Sequence, residues 1–264
     1  MEPLFLIFTN FLLLLLALSC LWVLSVRIKD ASIIDIFWGP ACAFGAVLTY
    51  FRMEGSSPRD LLLTVLACLW AFRLAAYLAK RNLGHGEDLR YQKMRAAQVD
   101  DKAFERWSFT RVYMLQGVIA WFISLPVQLG QLGPDAPLGL LSFIGILIFS
   151  IGLAFETIGD WQLTKFKANP DNKGKLMTRG LWSWTRHPNY FGDATVWFGL
   201  TLIALSAPIG WLTILSPVVM AYFLVNISGK SLTERHMRKK YPEWATYAAT
   251  TSGFFPMPPK SAVG

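Results

Sequence analysis

Residues 179–193 read Arg179-Gly180-Leu181-Trp182-Ser183-Trp184-Thr185-Arg186-His187-Pro188-Asn189-Tyr190-Phe191-Gly192-Asp193, and they separate two strongly apolar segments. The stretch combines arginine, histidine, asparagine and aspartate side chains. A polar group in an apolar environment costs free energy unless water, protein or a ligand satisfies it. The pattern therefore predicts a site for a large, polar, anionic ligand at a membrane surface.

The composition on either side of this stretch is typical of an integral membrane protein. The chain has 264 residues, of which 54% are hydrophobic and 16% charged, against roughly 25% charged in an average soluble domain. A membrane span needs about 20 mostly apolar residues. Seven segments qualify: residues 3–26, 33–51, 60–79, 109–127, 137–158, 188–207 and 209–228. We therefore expect an all-α fold of seven transmembrane helices in a single domain, residues 1–264.

The distribution of basic residues predicts the orientation of these spans. If the spans alternate, most of the 25 Lys and Arg residues lie on one side, and only Arg52 and Arg59 lie on the other. The positive-inside rule then places the N-terminus outside and the C-terminus in the cytoplasm. Six spans would divide the basic loops between both sides. The first span has no basic leader or cleavage site, so we interpret it as a retained helix.

Several common sites are not predicted. The three cysteines, Cys20, Cys42 and Cys68, lie within predicted spans without metal-ligand spacing, so we expect neither a metal site nor a disulfide framework. The soluble nucleotide-binding motifs GxGxxG and GxxxxGK[ST] are also missing. A nucleotide would therefore bind between helix ends and loops.

The mouth of the sixth span is the first candidate site. Pro188 suits the first turn of a helix, and Asn189, Gly192 and Asp193 then share one helical face. Arg186 could hold a phosphate or carboxylate through two parallel hydrogen bonds, as could Arg179 in the loop before it. A helix cap flanked by interfacial basic residues is the simpler alternative.

Two carboxylates near the end of the fifth span form the second candidate. Glu156 and Asp160 are one helical turn apart, and acids at the C-terminal end of a helix oppose its dipole. That placement favours ligand hydroxyl or amide groups as partners. A salt bridge to Lys165, Arg179 or Arg186 is the alternative.

Polar residues in the second and third spans form a third candidate. An arginine within a span is costly and indicates function by default, and Arg73 is followed by Tyr77 and Asn82. Asp35, with Trp38, lies just inside the second span. The alternatives are a structural Arg73–Asp35 pair and an N-terminal helix cap in Ser32-Ile33-Ile34-Asp35.

The C-terminal tail carries the fourth candidate. Lys230 and Glu234 have the spacing of a helical ion pair, and Arg235 follows them. This segment could close over a bound nucleotide, or it could be a solvated helix.

These residues resemble the steroid 5-alpha-reductase C-terminal-domain family of polytopic membrane enzymes, and more closely its bacterial branch. The resemblance covers most of the chain from about residue 32. Its motifs are Gly180 to Asp193, Gly159-Asp160-Trp161-Gln162, Arg73 with Arg81-Asn82-Leu83-Gly84 and Gly86-Glu87-Asp88, Asp35-Ile36-Phe37-Trp38-Gly39, and Phe255-Pro256.

The resemblance implies a seven-helix enzyme that uses NADPH to reduce an activated carbon–carbon double bond. Its substrate would be a lipid-like enone, such as a 3-oxo-Δ4 steroid, entering from the bilayer. The implied cofactor-binding residues are Arg73, Asn82, Asp160, Lys167, Lys175, Arg179, Arg186, His187, Asn189, Asp193, Lys230, Glu234 and Arg235.

The resemblance also assigns the chemistry. Asp35 falls where the family has a glutamate that orients a substrate-polarising tyrosine, whose own position is occupied by Trp70. An indole N–H donates a hydrogen bond but does not readily supply a proton, so Tyr77 is the alternative donor. Hydride would attack the β-carbon while donors near Asp35 stabilise the carbonyl oxygen. Asp35, Trp38 and Trp70 would contact the substrate.

Two other classes of function stay open. Membrane methyltransferases of the isoprenylcysteine carboxyl methyltransferase type also carry an Arg-His-Pro-x-Tyr stretch, here Arg186 to Tyr190, and a glutamate-containing tail. A lipid-binding protein without catalysis is the third possibility. We expect a monomer in a bacterial inner membrane, in contact with membrane lipid, with its cofactor site facing the cytoplasm and no nucleic-acid partner.

Overall fold

The protein is described by a computed structural model covering residues 2–53, 57–134, 137–227 and 229–260. Helix accounts for 77% of it, and the described ranges contain no strand, which confirms the all-α expectation. The helices are α1 (Pro3–Ile28), α2 (Ile33–Arg52), α3 (Pro58–Asn82), α4 (Leu89–Ala96), α5 (Asp101–Ser108), α6 (Leu115–Ile123), α7 (Leu125–Leu129), α8 (Leu140–Ala168), α9 (Leu181–Trp184), α10 (Pro188–Ala204), α11 (Leu215–Tyr222), α12 (Lys230–Lys240) and α13 (Trp244–Thr250).

Within the described ranges, five helical stretches are long and apolar enough to cross a membrane, as expected of an integral membrane protein. They are Pro3–Ile28, Ile33–Arg52, Pro58–Asn82, Leu140–Ala168 and Gly210–Lys240. The predicted span 109–127 is instead interrupted: a π-helical segment, Phe109–Met114, precedes α6, and Ser124 separates α6 from α7. Pro126 explains the break, because proline clashes with the preceding turn. The predicted span 188–207 becomes α10, which has 17 residues. The count of seven spans stays a prediction.

Helix α8 differs most from its predicted bounds. It continues to Ala168, ten residues beyond the predicted end of the span at residue 158. Its 29 residues extend for roughly 43 Å, which exceeds the roughly 30 Å hydrocarbon core of a bilayer. Glu156 and Asp160 therefore lie inside the helix, and our argument that they oppose the dipole at its C-terminal end was wrong.

The chain divides into two compact units. The first comprises Met1–Ser142 and Ile203–Ser216, and the second comprises Phe143–Leu202 and Pro217–Gly264. The single-domain description stays a prediction, and each unit is described here by itself.

The first unit contains α1 to α7, and its centre is the pair formed by α2 and α3. A side chain at Gly39 would come within 2.9 Å of the backbone oxygen of Ala71, so glycine is required for this close approach. A capping box at Ser57 and Asp60 begins α3. The close packing buries Trp70 completely.

The second unit is organised by the packing of α8 against α10. A Cβ atom at Gly192 of α10 would come within 2.5 Å of the backbone oxygen of Gly152 and the backbone nitrogen of Glu156, both on α8. Gly199, seven residues later, faces the backbone of Phe149 in the same way. Small residues at these positions let two membrane helices approach closely.

We expect Gly192→Ala to destabilise the second unit, because the new methyl group would meet backbone atoms that cannot rotate away. Overpacking of this kind costs about 1–3 kcal/mol. Thermal unfolding in detergent measures the effect, with Gly139→Ala as the control, because nothing lies within 4 Å of a Cβ atom there. Equal unfolding midpoints for the two variants would contradict this account of the α8–α10 contact.

Candidate functional site

The α8–α10 contact brings Asp160 and Asn189 together in the second unit. Asn189 Nδ2 donates a hydrogen bond to Asp160 Oδ1 at 3.1 Å, and Asp160 is only 3% exposed. Glu156, one turn earlier on α8, and Asp193, on α10, are also buried. Buried carboxylates are costly unless polar groups surround them. The structure therefore places these candidate residues on two helices, α8 and α10, that pack against each other.

The loop before α9 is anchored to the same part of α8. Gly180 has a positive φ of 62°, and Gln162 Oε1 accepts a hydrogen bond from the backbone N–H of Leu181 at 3.0 Å. The indole N–H of Trp182 donates to the backbone oxygen of Gly159 at 3.0 Å. These two contacts tie the residue 180–182 loop to α8, close in sequence to Asp160.

Arg186 connects this loop to the C-terminal tail. Its Nε donates to Glu234 Oε1 at 2.9 Å, and its Nη1 donates to the backbone oxygens of Ala248 at 3.0 Å and Thr251 at 2.6 Å. The carboxylate of Glu234 therefore pairs with Arg186, and not with Lys230 as helical spacing suggested. Much of the donor capacity of Arg186 is used within the chain. A contact between this residue and phosphate stays a prediction.

His187 shares the Glu234 carboxylate with Arg186. Its Nε2 lies 3.1 Å from Glu234 Oε1, and its ring stacks on Tyr190 with centroids 5.3 Å apart. The side chain is 1% exposed. Burial lowers the pKa of His187, although Glu234 partly opposes that shift. The imidazole is therefore held in its neutral form.

The tail lies along residues 184–187 in an extended conformation. Thr185 forms an isolated parallel bridge with Ser252, and its hydroxyl donates to the backbone oxygen of Phe254 at 2.8 Å. The backbone N–H of Met257 donates to Trp184 at 3.0 Å. Residues 252–257 therefore cover the loop that leads into α10.

The other predicted cofactor residues of this unit differ in exposure. Lys230 is half-buried at the start of α12. The exposed cations are Lys167, Lys175, Arg179 and Arg235.

In the first unit, Asp35 is held by two residues that the sequence did not indicate. Tyr91 donates its phenol hydrogen to Asp35 Oδ1 at 2.8 Å, and Arg90 forms an ion pair with Asp35 Oδ2. Burial, together with the carboxylate of Asp35, raises the pKa of Tyr91, so the phenol stays neutral. Both partners lie 55 or 56 residues from Asp35, and no local pattern links residues at that separation. Ser32 is the N-cap residue of α2, as the Ser32-Ile33-Ile34-Asp35 pattern predicts, but its side chain forms no capping hydrogen bond within the described ranges.

A second set of ion pairs fixes the α4–α5 segment. Arg95 contacts Glu87 Oε1 at 2.8 Å and Asp101 at 3.3 Å. Glu87 also accepts a hydrogen bond from the backbone N–H of Ala31 at 2.9 Å. The loop between α3 and α4 is therefore tied to the start of α2, close to Asp35.

The predicted residues of α3 follow one another along the helix. Trp70 is fully buried, whereas Arg73 and Tyr77 are half-buried, with the Arg73 guanidinium carbon 5.6 Å from the Tyr77 ring centroid. At the end of α3, the buried Nδ2 of Asn82 has no hydrogen-bond partner within the described ranges. Trp38 is half-buried on α2.

Comparison with known proteins assigns this chain to a family. A family model described as "Protein of unknown function (DUF1295)" matches residues 21–251, which is most of the chain. The chain belongs to the DUF1295 family. This family is related to the steroid 5-alpha-reductase-like membrane proteins.

Three curated proteins are similar to this chain. An uncharacterized protein of Schizosaccharomyces pombe is 24% identical over 269 residues, covering 90% of this chain and 76% of its own length. Delta(14)-sterol reductase LBR of Gallus gallus is 34% identical over 149 residues, or 53% of this chain and 21% of that protein. The probable O-methyltransferase ustE of Ustilaginoidea virens is 47% identical over 53 residues, or 20% of this chain and 18% of that protein. The chain thus spans only about a fifth of the two relatives whose names describe an activity.

The neutral state of His187 predicts a pH dependence of stability. Its pKa in the folded protein lies below the ordinary value of 6.5, so below that pH the unfolded chain binds a proton that the folded chain does not. Stability should therefore be lost as the pH falls below 6.5. Unfolding midpoints at pH 7.5 and pH 5.5 measure this loss, which should be smaller in His187→Gln. An equal loss in the variant and the parent protein would contradict it.

Proposed function

We propose that this protein is an NADPH-dependent membrane reductase that reduces the activated carbon–carbon double bond of a lipid-like enone, with 3-oxo-Δ4 steroids as the leading substrate class. The observation that carries the proposal is the hydrogen bond between buried Asp160 and half-buried Asn189, at positions where the resemblance to the steroid 5-alpha-reductase family implies contact with the cofactor. The similarity to a protein named Delta(14)-sterol reductase supports reduction of a sterol-like molecule.

The residues present suit a dinucleotide. In the second unit, exposed Lys167, Lys175 and Arg179 suit phosphates. The carboxylate of Asp160 and the amide of Asn189 are groups that hydrogen-bond ligand hydroxyl and amide groups.

When bound, NADPH would supply the hydride that adds to the β-carbon of the enone. The task of the chain is to stabilise the negative charge that develops on the carbonyl oxygen. We assign this task to the Asp35 cluster. Its neutral phenol, Tyr91, is a stronger candidate donor than Trp70, because a phenol donates both a hydrogen bond and a proton. In this proposal Tyr91 turns its hydrogen bond from Asp35 to the substrate oxygen and keeps its proton, while Arg90 keeps the carboxylate paired. A proton from water then adds to the α-carbon and completes the reduction.

The membrane arrangement belongs to the same proposal. Seven spans with an external N-terminus and a cytoplasmic C-terminus would place the basic segments, including residues 159–187, in the cytoplasm, where NADPH is available. We propose a monomer in a bacterial inner membrane, with the apolar substrate entering from the lipid.

The decisive experiment is an assay of NADPH oxidation by the purified protein, first with progesterone or testosterone and then with simple enones. We expect oxidation that depends on both the protein and the enone. Failure of every enone, together with an absence of NADPH binding, would reject the reductase proposal.

We expect Asn189→Ala to weaken NADPH binding while leaving the fold intact. In the proposal the amide of Asn189 contacts the cofactor, and one hydrogen bond contributes about 0.5–1.5 kcal/mol, which corresponds to roughly two- to tenfold in affinity. Titration of NADPH fluorescence measures the change. Asn169→Ala, on an exposed turn, is the matched control. Normal binding by Asn189→Ala would show that the cofactor assignment is wrong.

We also expect Tyr91→Phe to lower kcat by about 100-fold, since loss of one donor to a developing oxyanion costs 10²–10³ in kcat. Trp70→Phe keeps a large apolar side chain and should change kcat less. The comparison uses the same NADPH-oxidation assay. A larger defect in Trp70→Phe than in Tyr91→Phe would return the donor role to the indole.

A methyltransferase is the second candidate, because the short match to a probable O-methyltransferase has the highest identity of the three relatives described. Binding of a ligand to the folded state raises the unfolding temperature. NADPH and S-adenosylmethionine should therefore be compared by thermal shift. Stabilisation by S-adenosylmethionine alone would favour the methyltransferase.

A further inference from the structure

An apolar groove lies between α1 and α2 in the first unit, away from the Asp35 cluster. Its volume is about 350 Å³. The α1 side is formed by Leu14, Ala17, Leu18, Cys20, Leu21 and Leu24, and the α2 side by Phe37, Pro40, Ala41 and Phe44. Ala17, Cys20, Leu24 and Phe37 are exposed, so a ligand could reach the groove from outside the protein.

The groove and Asp35 occupy different faces of α2. Asp35 precedes Pro40 and Ala41 by five and six residues, which rotates it by roughly 120–140° from them. Asp35 instead shares a face with Gly39, four residues later, which packs on Ala71 of α3. The groove is therefore separate from the proposed reductase site, and its occupant need not be the substrate.

The dimensions of the groove match an acyl chain. From Leu14 to Leu24, α1 rises by about 15 Å, which is half of the roughly 30 Å hydrocarbon core and so the depth of one lipid leaflet. The lining contains no charged side chain. A straight hydrocarbon chain lying along α1 would fill it.

A basic residue stands beyond one end of the groove. Arg27 is exposed, follows Leu24 by three residues and Cys20 by seven, and so continues the same edge of α1 about 4.5 Å further along the axis. An arginine at that height suits a phosphate group. The combination of an apolar groove one leaflet deep and a cation just past it is complementary to a phospholipid.

We propose that the α1–α2 groove is a specific phospholipid site, in which one acyl chain lies against Leu14 to Leu24 and the phosphate contacts Arg27. This site goes beyond the proposed reductase activity and does not depend on it.

The test uses the delipidated full-length protein in detergent, titrated with phosphatidylglycerol that carries a photoreactive diazirine in its acyl chain. Cross-linked residues are mapped by mass spectrometry. We expect saturable labelling centred on Cys20, Leu21 and Phe37, which unlabelled phosphatidylglycerol removes and progesterone does not. Labelling spread evenly over the exposed helices without saturation, or displacement by progesterone, would overturn the proposal.

Three variants test the groove and the phosphate contact separately. Ala17→Trp fills the groove at an exposed position and should abolish the labelling, whereas Leu16→Trp adds the same side chain to a neighbouring exposed position outside the lining. Arg27→Gln should keep the position of the labelling but lower the apparent affinity by roughly fivefold, the effect of one basic residue near a lipid headgroup. Equal labelling of the two tryptophan variants would reject the groove, and an unchanged affinity in Arg27→Gln would reject the phosphate contact.

Discussion

The packing of α8 against α10 is the contact on which the second unit depends. Two helices can approach this closely only where neither carries a side chain, and Gly152 and Gly192 meet at such a point. The same approach sets Asp160 beside Asn189 one to two turns away. The buried carboxylate of Asp160 is tolerated there because the half-buried amide of Asn189 donates to it. The close helix packing and the polar pair thus depend on each other, because a greater distance between α8 and α10 would separate Asp160 from Asn189.

Asp35 shows a different way of holding a carboxylate. It lies in the first turn of α2, and its partners, Arg90 and Tyr91, both lie in the first turn of the short helix α4. The charged segment that follows α3 therefore contacts the start of α2 and holds the carboxylate of Asp35 in place.

The sequence predicted the parts that depend on local pattern. Apolar runs located α1, α2 and α3 to within three residues, and the density of polar groups at 179–193 identified the mouth of α10. The end of α8 was misjudged because a helix that leaves the apolar core continues as a polar helix, and hydropathy does not detect that extension. The glycine contact was visible as a spacing of seven in Gly145, Gly152 and Gly159, and again in Gly192 and Gly199. Arg90 and Tyr91 could not be found in this way, because their contact with Asp35 depends on how the connection from α3 to α4 folds.

Arg186 limits how the second unit can attract an anion. Its guanidinium joins Glu234 to the backbone of α13, so a phosphate competing for it would have to replace hydrogen bonds that hold the tail. Attraction must then come mainly from exposed Lys167, Lys175 and Arg179, whose fields are screened by salt within about 10 Å at 0.1 M. Exposed cations of this kind recruit an anion without distinguishing one nucleotide from another. In the proposed nucleotide site, discrimination would then fall to less exposed groups such as Asp160 and Asn189, because an unmatched polar atom is most costly where water is excluded.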